Sequence, residues 1–266
     1  MRLTVIGCSG SFPGPDSPAS CYLAEAEGFR LLIDLGSGAL GPLQRAAGLA
    51  GVHAIMISHL HADHCLDLCG YSVARTYHPA GPMPPIPVYG PAGTAQRLSA
   101  ALRPVPDDMA GPAGSGEDPG HAMTDAFGFE TLRPGPVEVG PFRITAARMN
   151  HPVETFGLRL EHGGRSVAYS ADTGPTDALA DLASGADLLV CEASFAQPGP
   201  GGPELPPGLH LTGRQAGEHA AKAGAGRLVL THLPPWNDPS ATLAEAARAY
   251  RGEVSLAAPG LLLDIG

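Results

Sequence analysis

Between residues 59 and 64 the sequence reads His59-Leu60-His61-Ala62-Asp63-His64, three imidazoles and a carboxylate within six residues. In a tight loop after a strand, alternate residues such as His59 and His61 point to one side, while Asp63 and His64 swing to the other as a helix begins. Such a loop offers two facial ligand sets to two adjacent metal ions. Imidazole and carboxylate suit zinc, and also manganese or iron, better than calcium. The cluster directly follows Ala54-Ile55-Met56-Ile57. Four polar, ligand-type side chains are costly to place beside a core unless they bind something.

Three further apolar runs end the same way. Ile144 to Met149 leads into Asn150-His151, Val167-Ala168-Tyr169 into Ser170-Ala171-Asp172, and Leu228-Val229-Leu230 into Thr231-His232. Strand ends in one sheet layer lie close together, so the implied set is His59, His61 and His151 on one metal, Asp63, His64 and His232 on the other, with Asp172 bridging. Seven ligands leave room for a bridging water or hydroxide, as two-metal hydrolysis requires. A lone histidine at a strand end, such as His151, suits a structural role equally well; its combination with the 59–64 cluster points to a metal pair.

The elements that must position these residues are short. Leu3 to Gly7, Cys21 to Glu25 and Phe29 to Asp34 are apolar-rich runs bounded by Gly, Pro and Ser, as expected of hairpin strands. Ala54 to Ser58 suits a fully buried strand. Further strands are expected at Pro87 to Tyr89, Phe142 to Met149, Phe156 to Leu160, Ser166 to Ser170, Leu188 to Cys191 and Leu228 to Thr231. Helical spacing covers Pro42 to Ala47, His64 to Tyr77 and Thr94 to Leu102. Thr212 with Gln215 reads as a capping box, and Asp238-Pro239 as an N-cap and first-turn pair. Strands first, then strands alternating with helices, define an α/β layered sandwich.

Composition narrows the function classes. Sixteen basic against 26 acidic residues give a net charge of −10, which disfavours a broad electrostatic grip on nucleic acid. Glycine (36) and proline (28) concentrate at Pro79 to Pro87, Arg103 to Gly120 and Gln197 to Gly208, read as loops, with Arg103 to Gly120 expected to be mobile. No stretch approaches the roughly 18 apolar residues that span a bilayer, and the N-terminal apolar run is too short for a secretory signal. A soluble, cytoplasmic protein is the expectation. Five cysteines without any CxxC suggest buried free thiols rather than disulfides or a zinc knuckle. Cys65 and Cys69, one helical turn apart, are expected to pack apolarly.

The 59–64 cluster with His151, Asp172 and His232 resembles the metallo-β-lactamase superfamily. The resemblance spans essentially the whole chain and implies a four-layer αββα sandwich formed as one domain over residues 1–266. Pro87-Val88-Tyr89-Gly90-Pro91, Cys191-Glu192-Ala193-Ser194-Phe195 and His210-Leu211-Thr212 are similar to the ribonuclease Z branch, whose substrates are phosphodiesters. Gly7-Cys8-Ser9-Gly10-Ser11, Gly14 to Ser20, His59 to Asp67, Tyr169 to Gly174 and Leu230 to Trp236 look like actinobacterial atypical class II cyclic-nucleotide phosphodiesterases, which hydrolyse 3′,5′-cyclic AMP. The long tRNA-clamping arm expected of ribonuclease Z has no room between Asp172 and His210. Ribonuclease Z relatives are commonly dimers, so the resemblance also implies a homodimer.

The resulting expectation is a phosphodiesterase with two divalent ions, zinc foremost and manganese or iron as alternatives, acting on a small phosphodiester or cyclic nucleotide by attack of a metal-bridging hydroxide. Asp63 would orient the nucleophile or accept its proton, and resemblance places His210 as the general acid for the leaving alkoxide. Glu192 would hydrogen-bond His210 or a ligand imidazole, or form a structural salt bridge. Ser9, Gly10 and Ser11 lie in a turn whose amides can face a phosphate. Phe195, Tyr77 and Trp236 are either base-stacking surfaces or, more simply, core. His53, His78, His121, His162 and His219 carry no ligand context. The alternatives are a tRNA 3′-end endonuclease, a hydrolase of another ester, thioester or lactone, and a non-enzymatic nucleotide-binding protein, which the full ligand set disfavours.

Overall fold

A computed structural model of the chain describes residues 1–102, 123–198, 202 and 204–266. The stretch Arg103 to Gly120, expected to be mobile, and His121 lie outside the described residues, as does part of Gln197 to Gly208. Strands β1 (Arg2–Gly7), β2 (Cys21–Ala26) and β3 (Phe29–Ile33) come first, then helix α1 (Leu40–Ala47) and strand β4 (Ala54–Met56). Helices α2 (Ala62–Cys65) and α3 (Asp67–Thr76), strand β5 (Ile86–Gly90), helices α4 (Thr94–Leu102) and α5 (Met123–Ala126) and strand β6 (Phe127–Thr131) follow. Next run β7 (Gly135–Val139), β8 (Phe142–Arg148), β9 (Phe156–His162), β10 (Arg165–Tyr169), α6 (Asp177–Leu182) and β11 (Leu188–Glu192). The described chain closes with α7 (Gly213–Ala223), β12 (Arg227–Thr231), α8 (Pro239–Ala249), β13 (Glu253–Leu256) and β14 (Leu262–Asp264).

The strands form two seven-stranded sheets, ordered β14-β1-β2-β3-β4-β5-β6 and β13-β12-β11-β10-β9-β8-β7. Both are mixed: an antiparallel meander passes into parallel strands at the β3–β4 and β10–β11 pairs. Apolar residues on adjacent strand positions face opposite layers. Leu31 and Ile33 of β3 join Phe142, Ile144 and Val190 between the sheets, whereas Leu32 faces Leu43, Leu68 and Leu98 of the helices on the first sheet. Leu189, Leu228 and Leu230 meet Leu179, Ala216 and Ala246 on the other side. Three apolar layers thus separate four structural layers, and the central strands, buried on both faces, read as continuous apolar runs. Among the described residues no helix is long and apolar enough to cross a membrane.

This topology gathers the polar strand ends at one edge. Two antiparallel reversals restore direction, so β1 runs with β3 and β4, and β8 runs with β10, β11 and β12. The residues that end or follow β4, β8, β10, β11 and β12 include those singled out in the sequence. Contacts across the sheets lock the edge, with the Phe156 amide donating to the Ser58 carbonyl and the His232 amide to the Cys8 carbonyl, each at 3.0 Å.

The helical stretch expected from His64 to Tyr77 divides at Leu66 into α2 and α3. The Leu35 amide takes the His64 carbonyl at 2.8 Å, and the Leu35 carbonyl takes the Asp67 amide at 3.2 Å, so the chain pivots about Leu35. Gly36 permits this approach, because a Cβ there would lie 1.9 Å from the Asp63 carbonyl oxygen. The capping box of Thr212 and Gln215 forms as expected at the start of α7, and Asp238 caps α8 with Pro239 at its first turn. The core placement expected for Tyr77 and Trp236 is overturned: they are 61% and 70% exposed, on turns outside the three apolar layers.

Candidate metal centre

Every one of the seven expected ligands reaches that edge. One group of ligand atoms comprises His59, His61, His151 and Asp172; a second comprises Asp63, His64, Asp172 and His232, with Asp172 common to both. In the first, His61 Nδ1 lies 3.1 Å from His59 Nε2 and 3.3 Å from His151 Nε2. In the second, His64 Nε2 is 3.2 Å from His232 Nε2 and 3.2 Å from Asp172 Oδ1, while Asp63 Oδ2 is 3.1 Å from His232 Nε2. Residues 59–64 therefore divide between the groups as their alternation suggested.

Hydrogen bonds behind the rings assign their tautomers. His64 Nδ1–H donates to Asp34 Oδ2 at 2.8 Å. Ser58 Oγ–H also donates to Asp34 Oδ2, so Ser58 Oγ is left to accept from His59 Nδ1–H at 3.1 Å. His151 Nδ1–H donates to the Leu209 carbonyl at 2.9 Å. Ser194 Oγ gives its proton to the His232 carbonyl and accepts from His232 Nδ1–H at 2.8 Å. Four imidazoles thus turn an Nε2 lone pair inward, those of His59, His64 and His232 onto the carboxylates of Asp63 and Asp172 and that of His151 toward His61. The buried Asp172 Oδ1 has no hydrogen-bond partner. Lone pairs and anionic oxygens at 3.1 to 3.4 Å repel one another unless a cation sits among them. The donor set of imidazoles and carboxylates fits zinc, with manganese or iron as alternatives.

The electrostatics differ among the ligands. Burial holds His59, His61 and His151 below the usual imidazole range, which keeps them neutral and able to ligate. Burial acts the same way on His64, but the carboxylates of Asp172 and Asp34 outweigh it and raise that imidazole well above its ordinary value. Asp63 and Asp172 are both pushed down against the cost of burial by the imidazoles they face, Asp63 by His232 and His64, Asp172 by His232, His64 and His59.

Beside the ligands stands His210. Its Nδ1 is 2.9 Å from Glu192 Oε1, and its ring centre lies 5.5 Å from that of His151 and 5.7 Å from that of His232. Burial lowers its proton affinity, yet Glu192, aided by Asp172 and Asp63, brings it above the usual value. Glu192 also accepts from the amides of Thr173, Ser194 and Leu211, so one buried carboxylate ties together the segments bearing Asp172, His232's partner Ser194 and His210. Phe195 packs edge-on against His210 at 5.2 Å. The Ser11 amide approaches His232 Nε2 at 3.5 Å, while the Ser9 hydroxyl is directed to the Phe12 carbonyl at 2.7 Å. Gly10 permits this turn, since a Cβ there would lie 2.3 Å from the His232 carbonyl oxygen. Ser11, Asp34, Ala171 and His232 all hold positive φ, a conformation non-glycine residues adopt at a cost of about 1–3 kcal/mol each.

Sequence reasoning assigned no role to Asp34, Ser58 or Ser194. Asp34 had a signal: like the ligands, it ends an apolar strand. It accepts four hydrogen bonds, from His64, Ser58 Oγ, the Ser58 amide and the Tyr169 hydroxyl. Cys65 and Cys69 point their thiols at the carbonyls of His61 and Leu98, consistent with apolar packing.

Residues 29–233 match the family described as Beta-lactamase superfamily domain. The chain is 45% identical over 257 residues to an uncharacterized protein of Mycobacterium tuberculosis, covering 96% of this chain and 88% of that one. It is 33% identical over 258 residues to the ribonuclease Z of Mycobacterium bovis, covering 88% and 86%. The crystal structure of the metallo-β-lactamase fold protein YhfI from Bacillus subtilis superposes with a TM-score of 0.81 at 28% identity, covering 99% of each chain. The chain belongs to the metallo-β-lactamase superfamily. Its convergent histidines and aspartates have the make-up of a metal-dependent hydrolase of that fold.

Proposed function

We propose that the protein is a two-metal phosphodiesterase acting on small cyclic phosphodiesters, 3′,5′-cyclic nucleotides such as cyclic AMP foremost. The observation that carries this reading is the Glu192–His210 pair poised beside both ligand groups. Cleaving a phosphodiester expels an alkoxide, which needs a proton, and a histidine whose proton affinity Glu192 raises is suited to supply one. Two divalent cations held by His59, His61, His151, Asp63, His64, His232 and the shared Asp172 would supply Lewis acidity toward the phosphoryl oxygens and lower the pKa of water.

The chain's own groups do the rest. The Ser11 amide, 3.5 Å from His232 Nε2, would be available to a phosphoryl oxygen with that nitrogen engaged by a cation. Asp63 orients the attacking water or takes its proton. His210 Nε2 protonates the leaving ribose oxygen, while Glu192 stabilises the imidazolium and fixes its orientation. The charge of −10 supports a compact substrate over extended RNA.

Identity to ribonuclease Z favours a second reading, tRNA 3′-end cleavage. An assay of the zinc-loaded protein with cyclic AMP, cyclic GMP, a chromogenic phosphodiester and precursor tRNA separates the two. Hydrolysis of the cyclic nucleotides with tRNA left intact is expected; cleavage of the tRNA alone would replace the first reading by the second.

A further inference from the structure

Trp236 is the protein's single tryptophan and is 70% exposed, although tryptophan is a residue that folded chains mostly bury. Its ring centre lies 5.0 Å from that of Phe12, itself 40% exposed, with the two planes tilted by 44°. The two rings are carried on segments that adjoin the ligand groups in the chain. Phe12 directly follows Ser11, whose amide is 3.5 Å from His232 Nε2, and consecutive Cα atoms are only about 3.8 Å apart. Trp236 follows His232 by four residues.

Both rings are carried on pinned backbone. The Phe12 amide donates to the Gly10 carbonyl and the Phe12 carbonyl accepts from Ser9 Oγ, each at 2.7 Å. The Gly10 amide crosses to the Leu233 carbonyl at 3.1 Å. Past Trp236, the Asn237 amide closes a turn on the Pro234 carbonyl at 2.9 Å, and Asn237 Nδ2 reaches the Ser194 carbonyl at 2.8 Å. Four prolines, at 13, 15, 234 and 235, stiffen the two segments further. Exposed rings held this firmly lose little freedom when a ligand covers them.

We propose that Phe12 and Trp236 form an aromatic platform that stacks the planar nucleobase of the substrate while its phosphate lies at the ligand groups. This rests on the cyclic-nucleotide reading above and adds the part of the substrate that reading left unplaced. Two rings are far smaller than the roughly 800 Å² per partner of a stable protein interface, whereas they match one base.

The lone tryptophan is its own reporter. Titrating the zinc-loaded protein with cyclic AMP should quench its fluorescence to saturation. Neither inorganic phosphate nor the 3′,5′-cyclic phosphate of a base-free methyl riboside should do so. Phe12→Ala should raise the cyclic AMP midpoint by about fivefold or more, and Phe12→Tyr should restore it, with zinc content equal in all three proteins. Equal quenching by the base-free compound, no quenching at all, or emission that follows protein concentration without nucleotide, the mark of a second copy on the rings, would each overturn the platform. Quenching without hydrolysis would keep the platform and remove the phosphodiesterase reading; hydrolysis without quenching would do the reverse.

Discussion

The two ligand groups that share Asp172 differ in depth and in what stands behind them. Asp63, His64 and His232 are buried, whereas His61 and His151 are partly exposed. A full carboxylate, Asp34, backs His64 and a neutral hydroxyl, Ser194 Oγ, backs His232, while the open group has neutral oxygens alone, Ser58 Oγ behind His59 and the Leu209 carbonyl behind His151. A carboxylate behind an imidazole fixes its orientation and raises its basicity as a ligand. On the proposed two-metal reading, the buried group would hold its cation more tightly than the open group. His210 lies against a member of each, His232 and His151, so the proposed proton delivery would fall where the groups meet.

That contrast can be broken in graded steps. Asp172→Ala removes the oxygen common to both groups, and metal analysis should show both ions lost, with turnover at background. His61→Ala should empty only the open group, leaving about one ion per chain and little hydrolysis. His210→Ala should keep both ions and lower kcat by about 10²- to 10⁴-fold. Its pH profile sharpens the assignment. Because the folded protein raises the His210 value, the acid form persists above the ordinary imidazole range and is lost as pH rises through the raised value. The wild type should then lose kcat on that alkaline limb, and the limb should be absent from His210→Ala. Smallest of the four, Ser58→Ala removes a contact to Asp34 and the acceptor of His59 Nδ1–H, and should weaken zinc affinity by about 10- to 100-fold as read by competition with a chelator.

Much of this centre was legible in the sequence because its ligands obey one rule, an apolar run ending in a metal-binding side chain. His59, His151, Asp172 and His232 were found that way, and Asp34 satisfies the same rule but was passed over as the last residue of a strand. Leu209 could not have been found, since its carbonyl is backbone and carries no residue signature. The fold shows a matching split. The ten strands anticipated are interior to their sheets, and the four that were not, β6, β7, β13 and β14, are the edge strands. Edge strands are half-solvated, and Glu253 to Leu256 or Leu262 to Asp264 lack the apolar continuity that marked the others. Trp236 was misjudged because hydrophobicity alone assigns it to the core, while Pro234-Pro235 and Asn237 hold it on a turn.

The most direct test is a zinc titration of the metal-free protein in which bound zinc and cyclic AMP hydrolysis are measured on the same samples. The structure predicts that turnover stays near background through the first equivalent, as the buried group fills, and rises with the second. Full turnover at one equivalent, or two bound ions with no phosphodiester hydrolysed, would contradict it.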